Sequence, residues 1–311
     1  MARAALLPDL ALMYRGRFAP SPTGPLHLGS LIAAVASFLE AKIHDGQWLV
    51  RMEDLDKSRE MPGAADDILK TLEIFGFEWD ETVIYQSSRN QVYQHALEQL
   101  QHQHLVYPCA CSRKEIADSA NRNPTLHGLD GLIYPGTCRY GLTGSKSPRY
   151  WRITTDDGLI TFDDAIQGHF SHDLSKLVGD FVLKRADGFY AYQLAVVVDD
   201  AEQGITHVVR GADLLDSTSR QIYLQQKLGF PTPAYAHVPA ATNAKGEKLS
   251  KQTLAPSLNK QHPAKDLWLA LDFLGQNPLS ELKTSPIADI WQWARQHWDL
   301  SRIPRVRFKE F

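Results

Sequence analysis

The sequence predicts an α/β fold built on a parallel β-sheet, and three observations support this prediction. Short apolar runs alternate with segments whose apolar residues repeat at helical spacing, in both halves of the 311-residue chain. Two apolar runs, 47–52 and 194–200, lead into carboxylates, as strands of an open parallel sheet do at the edge that binds ligands. A stretch rich in Gly, Asn and Pro at 119–136 interrupts this alternation. We therefore expect a parallel sheet with an insertion, followed by a short helical C-terminal region.

Composition and charge exclude several classes of protein. With 43% hydrophobic residues the chain can bury a full core, yet no apolar run is long enough to cross a bilayer. The formal net charge of -3 gives no global sign of a polyanionic partner. Three cysteines do not form a secreted disulfide framework, and the first 13 residues lack the features of a signal peptide. We expect a cytoplasmic monomer that does not bind membranes.

The first element is a strand, a tight turn and a helix. Aromatic and cationic residues at 14–18 predict the strand, the sequence PSPTGPLHLGS at 20–30 predicts the turn, and 31–40 is rich in Leu, Ile and Ala. Ser30 stands where an N-cap hydroxyl would lie. A helix N-terminus of this kind attracts anions, and His27 precedes it directly. The turn therefore predicts a phosphate site, although a Pro-rich loop with an incidental histidine would have the same composition.

The remaining elements follow the same alternation. Two short segments, 151–154 and 159–162, are joined by a polar turn at 155–158 and predict a hairpin. The continuous apolar run at 194–200 predicts a strand buried on both faces. The other predicted elements are strands at 47–52, 181–184 and 207–209, and helices at 62–75, 91–103, 217–228, 266–274 and 287–297.

A late polar loop at 244–252 contains three lysines within the sequence AKGEKLSKQ. By itself such a run is typical of a solvated loop. Together with the HLGS turn, and in this order, it resembles the paired signatures of class I aminoacyl-tRNA synthetases, which implies a Rossmann-type sheet and ATP as a substrate with Mg²⁺. Attack of a carboxylate on the α-phosphorus of ATP builds negative charge that a histidine and a lysine loop can neutralise. The resemblance implies His27 and Lys251 as catalytic residues, and an ATP site of His27, Gly29, Ser30, Lys248 and Lys251.

Four longer segments, 17–29, 49–56, 208–218 and 247–251, are similar to the glutamyl branch of that class. A substrate with two carboxylates and one ammonium group needs guanidinium groups and one acid in its binding site. The residues that the resemblance implies include both. The signature's fourth position is a serine here, not a histidine, so one imidazole is replaced by a hydroxyl. The resemblance places Arg210 in the glutamate site, and a structural ion pair between Arg210 and Asp213 is the alternative. The implied glutamate site comprises Arg17, Ala19, Ser21, Glu53, Tyr192 and Arg210.

The chain's three cysteines are Cys109, Cys111 and Cys138. They supply three soft ligands, and a tetrahedral zinc site needs a fourth. On chemistry alone His127 is the ordinary candidate, with Asp130 behind it, because a tyrosine phenol titrates near pH 10 and binds a metal well only after losing its proton. The resemblance instead implies Tyr134, as in the zinc insertion of truncated glutamyl-synthetase paralogues. Zinc would lower the phenol's pKa, so we expect one structural Zn²⁺ with Tyr134 as the fourth ligand. Three unrelated buried cysteines are the alternative.

We expect a catalytic domain at 14–255, interrupted by a zinc-binding insertion at 105–145 and followed by a helical region at 256–311, with no room for an anticodon-binding domain. The resemblance then implies a truncated paralogue that activates L-glutamate to glutamyl-adenylate without tRNA. Its acceptor would be the queuosine base in the anticodon of tRNA(Asp). The alternatives are an ordinary synthetase charging a tRNA 3′ end, or a non-catalytic glutamate- and nucleotide-binding paralogue. For phosphate contacts with tRNA we expect Arg302, Arg305, Arg307 and Lys309, or Arg113 and Lys114.

Overall fold

The computed structural model describes residues 13–123, 126–129, 131–142, 146–249 and 256–311. Its first layer begins with β1 (Arg15–Phe18), α1 (Leu28–Ile43) and β2 (Gln47–Met52). The two strands are parallel, with Arg15 opposite Gln47 in the register. Helix α1 is the crossover between them, and ten of its residues between Leu31 and Ala41 are buried. After α2 (Ala64–Ile74), β3 (Ile84–Tyr85) adds a third parallel strand beside β2. The predicted strand–turn–helix and the first parallel strands are therefore confirmed.

A second sheet contains β8 (Leu159–Asp164), β9 (Gly168–Asp173), β11 (His207–Gly211) and β12 (Ala234–Val238). Its strand order is β11-β12-β8-β9, with β11, β12 and β8 parallel and β8 and β9 forming an antiparallel hairpin. The Thr206 N–H donates to the Arg15 carbonyl at 3.0 Å. The edge of β11 thus adjoins β1, and the carboxyl ends of both strands face the same side of the molecule.

The predicted hairpin of 151–154 with 159–162 is wrong. Strand β7 (Tyr150–Ile153) lies between β4 (Val106–Cys109) and β10 (Phe181–Lys184), antiparallel to both, whereas β8 pairs with β9. The connecting segment does not form a turn between partners because Thr155 is held elsewhere: its N–H donates to the Asp180 carboxylate at 2.8 Å. Long-range pairing has overridden proximity in the sequence.

The apolar run at 194–200, predicted as a strand, lies in helix α6 (Tyr192–Glu202). Residues 194–200 are all buried, so the run is apolar on every side of the helix. Helix α6 packs between α3 (Asn90–His102) and α7 (Thr218–Leu228). Because a helix enclosed on all sides and a strand buried on both faces have the same apolar pattern, the pattern alone could not separate them.

The insertion adds α4 (Arg113–Arg122), β5 (His127–Gly128) and β6 (Gly131–Leu132), and α5 (Leu174–Leu177) follows β9. The C-terminal part contains α8 (Pro263–Phe273) and α9 (Ile287–His297), as predicted. Both helices share a hydrophobic cluster with α1. The residues 302–309, which contain Arg302, Arg305, Arg307 and Lys309, are called the basic tail here. Strand β14 (Phe308–Glu310), at the end of this tail, pairs with β13 (Ala240–Thr242), which precedes the lysine loop. None of the helices in the described ranges has the length and apolarity that a membrane span requires.

Candidate active site and metal centre

The turn between β1 and α1 ends in an imidazole cap. His27 is the N-cap of α1, and its Nδ1 accepts the backbone N–H of Ser30 at 3.3 Å. The sequence predicts Ser30 as the cap, and this is wrong because the helix begins before it, at Leu28. The first turn of α1 has no acidic residue, so the positive end of the helix dipole is not neutralised by its own side chains. The turn therefore has the backbone geometry that the predicted anion site requires.

Gly29 brings the lysine loop close to this cap. A Cβ at Gly29 would lie 3.1 Å from His27 Cε1 and 3.3 Å from the Leu249 carbonyl oxygen, so a larger residue would push the two segments apart. Lys248 pairs with Asp213 at 2.5 Å. Ser250 and the predicted catalytic Lys251 lie outside the described residues. The lysine loop thus approaches the His27 cap as the resemblance implies, up to Leu249.

Arg17 is held by a buried carboxylate that our sequence analysis missed as a site residue. Its Nε and Nη2 donate to the two oxygens of Asp200 at 3.1 and 3.4 Å. Arg51, which is fully buried, donates to the same carboxylate at 2.8 Å and to Glu53 at 3.3 Å. Burial alone would raise the pKa of Asp200, but the charges of Arg17 and Arg51 hold it below its ordinary value. The sequence signals were a charged residue inside an apolar strand and the carboxylates ending an apolar run.

Glu53 lies at the carboxyl end of β2, where its N–H donates to the Pro20 carbonyl at 3.0 Å. Burial raises the pKa of Glu53 to about 7, against the opposing charges of Arg51 and Arg17. Ala19 and Ser21 flank Pro20 in the sequence, so the backbone hydrogen bond of Glu53 joins β2 to the segment that contains both predicted residues. Because burial makes Glu53 costly to ionise, a nearby ammonium group of a substrate would stabilise its ionised form.

Tyr192 and Arg210 complete the group of predicted glutamate-binding residues. Burial and the negative charge of Glu53 raise the pKa of Tyr192 to about 12, while Arg210 and Arg17 act in the opposite direction. Glu53, Arg17 and Arg210 therefore lie within electrostatic range of the Tyr192 hydroxyl. Asp213 pairs with Lys248, whereas Arg210 donates to His237 and Thr218, so the alternative role of Arg210 as a partner of Asp213 receives no support.

Among the residues that the structure describes, no hydrogen-bond partner is found for one nitrogen of Arg210. Its Nε donates to His237 Nε2 at 2.9 Å, and its Nη2 donates to Thr218 Oγ1 at 3.0 Å. The remaining nitrogen, Nη1, is buried and makes no hydrogen bond within the part of the chain that the structure describes. A buried guanidinium N–H without an acceptor is costly, so this atom is matched to a ligand carboxylate.

The three cysteines converge around Tyr134. Their sulfur atoms lie within 4.8 Å of one another, and the Tyr134 hydroxyl is 3.4 Å from the sulfurs of both Cys109 and Cys111. The sulfurs of Cys111 and Cys138 are 3.6 Å apart. A tetrahedral zinc with Zn–S of about 2.3 Å and Zn–O of about 2.0 Å separates two sulfurs by about 3.8 Å, and a sulfur from an oxygen by about 3.5 Å. The side chains present therefore fit a zinc ion.

His127, the other candidate ligand, is exposed on β5, and its nitrogens are outside the group formed by the three sulfurs. Asp130 lies outside the described residues. Burial, with hydrogen bonds to the neighbouring thiols, raises the pKa of the Tyr134 phenol, so a phenolate at this position requires a cation beside it. The geometry favours Tyr134 over His127 as the fourth ligand.

Arg152 is a second residue that our sequence analysis missed. Its Nε donates to Cys109 Sγ at 3.4 Å, and its guanidinium carbon lies 4.0 Å from the centre of the Tyr134 ring. Its Nη1 donates to the Asp180 carbonyl at 3.0 Å. Arg152 thus places a fixed positive charge against a ligand set that becomes anionic when it binds a metal.

The basic tail, predicted to contact tRNA phosphates, is engaged within the chain. Arg305 donates to the Gln167 carbonyl at 3.2 Å, and Lys309 donates to the Phe273 carbonyl at 2.7 Å. The remaining two basic residues pair with acids: Arg302 with Asp299 and Arg307 with Asp216. Of the alternative residues, Arg113 and Lys114 are exposed at the start of α4. The contacts of the tail give it a structural role, whereas the start of α4 presents basic side chains to the solvent.

A parallel sheet whose first crossover helix is capped by a histidine, with a lysine loop close to that cap, is an architecture of the class I synthetase type. The family model described as tRNA synthetases class I (E and Q), catalytic domain, matches residues 13–266. The chain belongs to this family. Its predicted fold class is therefore confirmed.

Individual relatives are more specific. The chain is 58% identical over 293 residues to a Dechloromonas aromatica (strain RCB) protein named Glutamyl-Q tRNA(Asp) synthetase, covering 94% of this chain and 96% of the relative. A protein of the same name from Neisseria meningitidis serogroup B is 54% identical over 298 residues, covering 94% of this chain and 98% of the relative. Among solved structures, the glutamate-tRNA synthetase of Elizabethkingia anophelis has a TM-score of 0.77 at 25% identity, covering 96% of this chain and 68% of that one.

Proposed function

We propose that this chain is a ligase that activates L-glutamate with ATP and transfers glutamate to the queuosine base of tRNA(Asp). One observation supports the choice of amino acid: Arg210 Nη1 is buried without a hydrogen-bond acceptor among the described residues, and Arg210 lies with Arg17 and Glu53 in electrostatic range of Tyr192. Two guanidinium groups and one acid complement the two carboxylates and the ammonium group of glutamate. The acceptor follows the names of relatives that match this chain over nearly their whole length.

In the first step, an oxygen of the glutamate α-carboxylate attacks the α-phosphorus of ATP, and pyrophosphate leaves. The N-terminus of α1 and His27 stabilise the negative charge that builds on the phosphate. Lys248, and Lys251 beyond the described residues, approach from the other side in this proposal. Mg²⁺ supplies further charge neutralisation when it is bound with ATP. The product is glutamyl-adenylate, and its formation requires no tRNA.

In the second step, a hydroxyl group of the queuosine cyclopentenediol attacks the activated carbonyl of the adenylate. A new ester bond forms, the carbon–oxygen bond to the phosphate breaks, AMP leaves with its electron pair, and the hydroxyl proton passes to the departing phosphate. Glu53 keeps the ammonium group of glutamate in place throughout, while Arg17 and Arg210 hold a carboxylate. The proposed catalytic domain for both steps is 14–255, interrupted by the insertion at 105–145 and followed by 256–311, and the proposed working form is a monomer.

Labelled glutamate and ATP test this function in a single assay with three tRNA substrates. We expect labelling of queuosine-containing tRNA(Asp) and none of tRNA(Asp) that lacks queuosine. Glutamate-dependent pyrophosphate exchange should proceed without tRNA. Labelling of tRNA(Glu) at its 3′ end would show an ordinary glutamyl-tRNA synthetase instead, and the absence of exchange would show a non-catalytic paralogue.

The pKa of Glu53 predicts how glutamate binding depends on pH. Because burial raises this pKa to about 7, Glu53 is mostly neutral at pH 6 and mostly ionised at pH 8. Only the ionised form pairs with an ammonium group, so KM for glutamate should fall about tenfold between pH 6 and pH 8. Pyrophosphate exchange at several pH values measures it. The Glu53→Gln variant should bind more weakly with a flatter pH dependence, and an unchanged KM in the wild type would contradict the assignment.

For the metal centre we propose one structural Zn²⁺ held by Cys109, Cys111, Tyr134 and Cys138. Metal analysis of the purified protein should find about one zinc per chain. Tyr134→Phe removes one ligand, so the variant should lose zinc to a chelator about 10–100 times faster or more completely than the wild type. His127→Ala, a change at the exposed alternative, should retain zinc like the wild type. Zinc lost only from the His127 variant would overturn the assignment.

A further inference from the structure

A buried chain of hydrogen bonds reaches Arg210 from the side opposite its unpaired nitrogen. His237, on β12, is fully buried between a carboxylate and this guanidinium. Its Nδ1 lies 2.6 Å from Asp164 Oδ2, and its Nε2 accepts the Arg210 Nε–H at 2.9 Å. Nothing in the sequence analysis points to either His237 or Asp164, because 73 residues separate them and neither lies in a motif of the family.

The donor pattern determines which nitrogen of His237 carries the proton. Arg210 has only N–H groups to offer, so the His237 Nε2 must be the acceptor. The single proton of the neutral ring is then on Nδ1, where it is donated to Asp164. Burial lowers the pKa of His237 to about 4 despite the hydrogen bond to Asp164, with a further contribution from the charge of Arg210 included in that value, and this agrees with a neutral ring.

Asp164 is itself fixed by the backbone. Its Oδ1 accepts the N–H groups of Ile166, Gln167 and His237 at 3.0, 2.8 and 3.1 Å. Two of these N–H groups belong to the turn between β8 and β9 and the third to β12, so Oδ1 is fully occupied by the backbone. Only Oδ2 faces the imidazole. The backbone of this turn thus determines the orientation of the Asp164 carboxylate. That carboxylate orients His237, and His237 in turn meets Arg210.

We propose that His237, oriented by Asp164, is the positioning residue that holds the Arg210 guanidinium with its Nη1 toward one carboxylate of glutamate. This proposal rests on the proposed function, since glutamate is the ligand. Thr218 and the Leu214 carbonyl accept from Nη2 at 3.0 and 3.4 Å and complete the restraint on the guanidinium plane. Because these contacts already restrain the Arg210 side chain, binding costs less rotational entropy than it would with an unrestrained arginine.

Asp164→Asn tests the proposal with almost no change in volume. The amide oxygen stays on the three backbone N–H groups, so the new NH₂ group faces His237 Nδ1 and donates to it. The imidazole proton must then move to Nε2, where it meets the N–H of Arg210. Two donors now face each other, and the guanidinium turns away. We expect KM for glutamate to rise about 10–100-fold in pyrophosphate exchange, with KM for ATP within about twofold of the wild type.

A matched control lies one residue away. Asp163 is exposed and pairs with His169 at 2.8 Å, so Asp163→Asn makes the same chemical change in a carboxylate–histidine pair on the same hairpin. This control should leave both KM values unchanged. If Asp164→Asn lowers the melting temperature but leaves KM for glutamate at the control's value, Asp164 has a structural role only and the proposal is overturned.

A second variant keeps the acceptor without the ring. The side chain of His237→Gln offers an oxygen to Arg210 and should retain part of the glutamate affinity, whereas His237→Leu offers none and should resemble Asp164→Asn. Calorimetric titration with glutamate separates this inference from the proposed function. Equal glutamate affinity in the wild type and Asp164→Asn overturns the inference while transfer to tRNA still stands. Weakened binding in Asp164→Asn, with no transfer by the wild type, supports the inference and refutes the function.

Discussion

Replacing Asp200 with asparagine is expected to lower the free energy of unfolding by about 3–5 kcal/mol. Asp200 is the shared partner of two buried guanidinium groups, those of Arg17 and Arg51. The amide removes one negative charge and leaves both cations inside the protein, where water cannot solvate them. The effect should be measurable by urea or thermal unfolding at neutral pH. Glutamate affinity should fall as well, because Arg17 loses the contact that orients it.

The pH dependence has a defined sign. Arg17 and Arg51 hold the pKa of Asp200 below its ordinary value despite burial. The ionised Asp200 therefore contributes fully to the free energy of unfolding at pH values above its unfolded-state pKa. This contribution is lost as the pH falls through the lower, folded-state pKa, so the difference between wild type and Asp200→Asn should shrink in acid.

Glu202 provides the control for this prediction. It lies on the same helix and also pairs with an arginine, Arg89, but its side chain is 48% exposed. Glu202→Gln should therefore cost only about 0–1 kcal/mol. Comparable losses in the two variants would show that the buried Asp200 network contributes no more than a surface ion pair.

Replacing His27 with alanine is expected to reduce kcat for glutamate-dependent pyrophosphate exchange by about 10²–10³-fold. The imidazole stands at the N-terminus of α1, next to the lysine loop at Leu249, where the phosphate charge would build. Because Ser30 occupies the signature's second histidine position, there is no other imidazole in this motif to replace it. Exchange kinetics at saturating glutamate and ATP measure the loss.

His27 also caps α1, so stability and catalysis must be separated. Asparagine is a good N-cap residue, and His27→Asn should keep the cap that alanine removes. His27→Ala should therefore lose about 1 kcal/mol of stability in addition to its rate, whereas His27→Asn should lose mainly rate. If His27→Asn exchanged pyrophosphate at the wild-type rate, His27 would be a cap and not a catalytic residue.

Local sequence was sufficient wherever neighbouring residues determine the structure. Proline, glycine and a following apolar run predicted the turn at 20–30 and helix α1. The resemblance then implied glutamate-site residues, of which Arg17 and Arg210 lie within electrostatic range of Tyr192. These features depend on short-range chemistry, or on motifs whose members keep their order in the chain.

The errors arose where two structures satisfy the same pattern. A run buried on all sides fits a strand or a helix, so 194–200 was assigned to a strand although it belongs to α6. Strand β7 could have paired with its neighbour in sequence, but it pairs with β4 and β10. The N-cap moved from Ser30 to His27 because an imidazole can accept the same N–H that a hydroxyl would.

The amino-acid sequence by itself determined the class of fold, the strand, turn and helix at the start of the sheet, and the charged and thiol residues of the proposed sites. Only the tertiary structure decided how those charges are held. Asp200 meets Arg17 and Arg51 across separations of 183 and 149 residues, and His237 meets Asp164 across 73. Such pairs leave no periodic or local signal. They form because burying an unpaired charge is costly, and the fold alone determines which partner is within reach.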